Sequence, residues 1–149
     1  MKKMLWMAVL AMATTAFPAA YADAGPARDF WRPKNLRQAT VDQPSARSFG
    51  QGNCGHLVLD ERRLRFFLSH ARADTSDRYD QAMQTDDCNA EGHIVLKDGR
   101  RFKVSIDNWT GWGAVSDERT TQFLFCRACV DILEPDFPFR TSDRKPPGR

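Results

Sequence analysis

The chain has 149 residues, 42% of them hydrophobic and 28% charged, with 22 Lys and Arg against 19 Asp and Glu for a formal charge of +3. That length suits one domain. So small an excess of positive charge gives no general attraction for nucleic acid, and a nucleic-acid partner is not expected.

At the start, Lys2 and Lys3 precede an apolar run from Met4 to about Ala16, and the small-residue pattern Ala20-Tyr21-Ala22 follows. This is the layout of a secretory signal peptide over residues 1–22, cleaved before Asp23. The apolar run is shorter than the roughly 18 residues a spanning helix needs, so no transmembrane anchor is expected. Loss of Lys2 and Lys3 leaves 20 basic residues against 19 acidic ones, and the mature protein belongs in the periplasm or outside the cell. The charge that remains is uneven: residues 23–50 carry +2, residues 51–139 carry −4 and residues 140–149 carry +3.

Residues 23–51 mix Pro, Gly and charge without period and read as a flexible leader; residues 140–149, "RTSDRKPPGR", read as a disordered basic tail. One folded domain is expected over residues 52–139. Phe30-Trp31 is the one feature able to order the leader, either as a patch laid on the body or as an exposed aromatic handle.

Within the body, Leu64, Phe67, Leu68 and Ala71 recur at i, i+3, i+4 and i+7, which is one face of an amphipathic helix. Asp60 is placed to cap it, and the helix is expected over Glu61–Arg72. The next stretch, "ADTSDRYDQAMQTDD", lacks either period and reads as a loop with about one helical turn. From Gly92 the period becomes two: Ile94 and Leu96 alternate, Asp98-Gly99 turns, and Phe102, Val104 and Ile106 alternate back. "NWTGWG" interrupts, "AVS" gives a short third strand, "DERT" turns, and "TQFLFC" supplies a fourth. The fold class is therefore α+β: a small antiparallel four-stranded meander with one covering helix, stapled by disulfides.

Four cysteines, Cys54, Cys88, Cys126 and Cys129, follow the cleavage site, and an even count in a small exported domain points to two disulfides. The C-x-x-C at 126–129 is also open to two other readings. A zinc site usually presents two close ligand pairs, and only one is present here, so no metal or other cofactor is expected. A redox dithiol needs its first cysteine exposed at a helix N-terminus, whereas Cys126 ends a strand and Pro135 soon follows. In a four-stranded meander, the start of the first strand and the end of the last lie at one end of the sheet. Cys88 with Cys126 and Cys54 with Cys129 is then the first of three possible pairings.

Catalytic groups are sparse: His56, His70 and His93 stand in no HExxH or GxSxG motif, and Asp86-Asp87 and Asp117-Glu118 fall at turns where Asp serves backbone geometry. No catalytic residue is assigned, and an enzyme is the less favoured class. The loop "DNWTGWG" is the best surface candidate. Trp109 and Trp112, flanked by glycines in a strand connection, are either core lids or a flat contact surface for a partner.

The run "CNAEGHIVLKDGR", the later "GWG" and "FLFCRAC" together resemble a group of uncharacterised small exported bacterial proteins. These share a cysteine before a Gly-started strand, a DGR hairpin and a strand ending in C-x-x-C. The likeness covers roughly Arg62 to Cys129 and implies an exported, disulfide-bonded fold without implying an activity. Two function classes remain: an exported binding module such as an inhibitor, immunity or cell-envelope accessory protein, whose partner is another protein or an envelope component; or a thiol-redox protein using Cys126 and Cys129.

Overall fold

The computed structural model describes residues 29–42, 46–48, 53–82 and 88–139. The expected signal peptide and basic tail, and residues 23–28, 43–45 and 49–51 of the expected leader, lie outside these. Among the described residues no helix is long and apolar enough to cross a membrane.

The fold is α+β. Its strands are β1 (Leu36–Val41), β2 (Arg47–Ser48), β3 (Arg72–Asp74), β4 (Cys88–Leu96), β5 (Arg101–Asp107), β6 (Trp112–Ser116) and β7 (Thr121–Phe125), and its helices are α1 (Glu61–His70) and α2 (Ser76–Ala82). Six strands run antiparallel in the order β1-β4-β5-β6-β7-β3, and β2 pairs with β4 off this path. The expected meander is its centre, β4 to β7. The DGR hairpin forms as its sequence predicts, pairing Ile94 with Phe102 and Gly92 with Val104.

Three strands went unread in the sequence, so a four-stranded sheet understates the fold. β1 lies in the segment expected to be a flexible leader, yet it pairs with β4 from Leu36↔Leu96 to Val41↔Gly92. Its entry is fixed by burial of Phe30 and Trp31, with Phe30 packed on Phe102 at 4.5 Å between ring centroids. Of the two readings of that pair, the patch on the body is the one observed. β3 replaces the expected end of the helix: Ala71 leaves helical geometry at ψ 149°, and Arg72–Asp74 turn onto the edge of β7. The expected single turn after it is a seven-residue helix, α2.

Helix α1 starts where Asp60 accepts the Arg63 N–H at 2.7 Å, as an N-cap should. Its buried stripe, Leu64, Phe67 and Leu68, covers the face of the sheet that carries Ile94, Val104, Ile106, Val115 and Leu124. Gly113 permits the close fit, because a Cβ there would lie 2.7 Å from the Phe67 ring. The buried Arg63 guanidinium ties the C-terminal segment to the helix by donating to the carbonyls of Ile132 at 2.9 Å and Glu134 at 2.8 Å. These are charge-assisted bonds, which suit a buried cation that must be fully partnered.

The disulfides are Cys54–Cys88 and Cys126–Cys129. All four cysteines are bridged, but the expected pairing was wrong. In the antiparallel path, β4 and β7 share an end of the sheet yet stand three strand spacings apart, roughly 14 Å. A disulfide tolerates Cα atoms no farther apart than about 7 Å. Cys88 instead meets Cys54 at a Cα separation of 5.7 Å, and Cys126 meets Cys129 at 5.2 Å.

Candidate functional site

The loop between β5 and β6 divides the two candidate tryptophans. Trp109 is 53% exposed, while Trp112 is 7% exposed and packs against Phe125 at 5.1 Å and Tyr79 of α2 at 5.9 Å. The sequence offered lid and contact as alternatives for the pair; Trp112 is a lid, and Trp109 stands about half exposed. Tyr79 over Trp112 has its hydroxyl pKa raised, first by burial and then by the charge of Asp107.

The backbone under Trp109 is held from three directions. Within the loop, the Asp107 carboxylate accepts the N–H and the hydroxyl of Thr110, and the Thr110 hydroxyl in turn accepts the Trp112 N–H at 3.2 Å. This is the local side-chain bonding that makes Asp a turn former. From the start of β4, the Cys88 carbonyl accepts the Asn108 N–H at 2.9 Å. From the C-terminal segment, the Asn108 carbonyl accepts the Asp131 N–H at 2.7 Å and its side-chain oxygen accepts the Leu133 N–H at 2.8 Å.

Asn108 is fully buried with each of its polar groups bonded, its amide donating to Glu134 at 3.4 Å. An Asn in a loop signals a turn and nothing more specific, so this role was not readable from sequence.

Gly111 completes the loop in the left-handed region, φ 72°, and its carbonyl accepts the Cys126 N–H at 2.8 Å. Cys126 opens the short 3-10 turn Arg127–Cys129 that the second disulfide closes. Both sulfur residues are buried, Cys126 at 1% and Cys129 at 0% exposure. On the chain-entropy account a bridge three residues apart restrains the unfolded chain by about 2 kcal/mol, against about 4 kcal/mol for one spanning 34 residues. The small bridge therefore acts mainly on its own turn, and Cys54–Cys88 on the whole domain.

The histidines are dispersed. His70 stacks on Phe66 at the exposed end of α1. His56 lies 3.7 Å from the Glu134 carboxylate. His93 is only 22% exposed in its side chain, with Nδ1 2.6 Å from Asp42 and Nε2 3.1 Å from the Arg101 guanidinium. A neutral ring with the proton on Nδ1 satisfies both neighbours, donating to Asp42 and accepting from Arg101. The sequence missed this contact because Asp42 arrives on β1. His93 borders an open groove of about 620 Å³ where Arg101 and Lys103 face Asp117 and Glu118 beside the neutral Ser116. Lys103 lies between His93 and Ser116 in strand register, so these three residues do not form a nucleophile with its base.

No family model matches the chain, and no curated protein or solved structure matches it.

Proposed function

We propose that the protein is an exported, non-catalytic binding module of the inhibitor, immunity or cell-envelope accessory kind, with Trp109 as the centre of its contact surface. The observation that carries this reading is an indole 53% exposed on a loop whose backbone is bonded on three sides. An exposed aromatic normally adds little to a monomer. Held rigid, it offers a partner large apolar area at small entropic cost, which is how tryptophan serves as a binding hot spot. Two disulfides in so small a domain support an oxidising compartment, periplasmic or extracellular.

The test is site-specific photo-cross-linking in the producing cell, with a benzophenone residue at position 109 and, as control, at position 58. Val58 is the other exposed large hydrophobic residue among those described. A discrete cross-linked species from 109 and not from 58 is expected; identical patterns from the two positions contradict the reading.

The second reading, thiol-redox chemistry, is favoured by one observation: Cys126 and Cys129 do form a bridge with each other. Burial of both and the lack of an α-helix starting at Cys126 weigh against rapid exchange. Turnover separates the two: a catalytic pair speeds the reduction of a second protein's disulfide by dithiothreitol, and a bridge without catalytic chemistry does not.

A further inference from the structure

We propose that the Cys126–Cys129 bridge is a redox-modification site that acts as a clasp: oxidised, it holds the floor beneath the Trp109 loop, and reduced by a dithiol, it releases that floor while the sheet stays folded. The functional consequence rests on Trp109 being the contact residue; the clasp itself rests on backbone geometry alone.

The floor is the segment from Cys126 to Leu133. Cys126 donates to the Gly111 carbonyl at 2.8 Å, Asp131 to the Asn108 carbonyl at 2.7 Å, and Leu133 to the Asn108 side chain at 2.8 Å. These three bonds lie on both sides of the bridge. Between them the chain is curled tightly, with Cys129 donating to Cys126 and Ile132 to Cys129, each at 3.0 Å. Asp131 lies just past this curl at φ 62°, in the left-handed region that Asp enters more readily than most residues. The bridge closes the first turn of the curl. It encloses only Arg127 and Ala128, so opening it frees this turn and leaves the 34-residue Cys54–Cys88 closure intact.

The chemistry balances with a dithiol as the reductant. One of its thiolates attacks a sulfur of the bridge, the Cys126–Cys129 bond breaks, a mixed disulfide forms, and the displaced thiolate takes a proton. The second thiol of the reductant then attacks the mixed disulfide, leaving as its own cyclic or intramolecular disulfide and giving the second cysteine thiol. Two electrons and two protons reach the protein. Because both sulfurs are buried, attack proceeds from an opened turn, which is accessible through the exposed Arg127 and half-buried Ala128.

Graded dithiothreitol with thiol-specific alkylation and amide hydrogen exchange on the wild-type protein tests this. Two thiols are expected first, on Cys126 and Cys129, with Cys54–Cys88 retained. In that state, the amides of Cys126, Asp131 and Leu133 should exchange at least about tenfold faster while those inside β4 and β5 keep their protection. Unchanged protection at those three amides with the bridge open overturns the clasp, as does reduction of Cys54–Cys88 first or together with it. Cross-linking from position 109 on the oxidised protein separates the two claims. If exchange responds but no cross-link forms, the clasp stands and the contact reading fails.

Discussion

The Cys126 N–H donates to the carbonyl oxygen of Gly111 at 2.8 Å, and the two backbones approach so closely that a Cβ on Gly111 would fall 2.4 Å from the Cys126 carbonyl. Glycine is required here twice over, by this contact and by its φ of 72°. Gly111→Ala should therefore cost about 2 kcal/mol or more, since the contact is with backbone that cannot rotate away. Denaturant unfolding reads this directly, and an unchanged midpoint would contradict the packing described.

The tryptophans of the same loop should separate cleanly. Trp112→Ala removes a ring packed between Phe125 and Tyr79 and should lose about 3 kcal/mol or more. Trp109→Ala should cost clearly less, about 1 kcal/mol at most, because about half of that residue lies in solvent. Equal losses from the two would mean that both rings are core.

What the sequence disclosed follows from the range of the interactions involved. The Asp60 cap, the Leu64-Phe67-Leu68 stripe and the Asp98-Gly99 hairpin are set by residues within a few positions of one another, and each formed as its pattern predicts. β1 was hidden because Leu36–Val41 carries no clear alternation of its own; it becomes a strand by docking on β4 behind Phe30 and Trp31. The cysteine pairing failed for a related reason. Strands that share one end of a sheet are not thereby close, and strand order puts β4 and β7 too far apart. At the loop, sequence singled out both tryptophans, and only burial by Tyr79 and Phe125 distinguishes them.

Two exposed turns set an acid dependence. Asp98 has its carboxyl pKa lowered, mainly by the hydrogen bond from the Arg100 side chain, and Asp117 by the backbone N–H of Arg119 and then of Thr120. A folded-state pKa below the unfolded one means that these turns add stability above the ordinary carboxylate range and lose it as pH falls through the lowered values. Asp98→Asn with Asp117→Asn should flatten the fall in melting temperature on acidification while leaving its order of strands intact. An acid limb identical to wild type would show that neither carboxylate contributes.

The two bridges should differ in worth. Replacing Cys54 and Cys88 together by Ala should cost about 4 kcal/mol, and replacing Cys126 and Cys129 together about 2 kcal/mol, as their loop lengths require. Chemical denaturation of the two double variants provides the comparison, and a larger loss from the second pair would reverse the assignment of global and local staples.

The clasp under the Trp109 loop depends on Cys126 closing onto Cys129. Non-reducing tryptic mapping, with free thiols blocked before digestion, decides it because the four cysteines fall in four different peptides. The structure predicts Ser48–Arg62 joined to Tyr79–Lys97, and Thr120–Arg127 joined to Ala128–Arg140. Recovery of Tyr79–Lys97 joined to Thr120–Arg127 would contradict it.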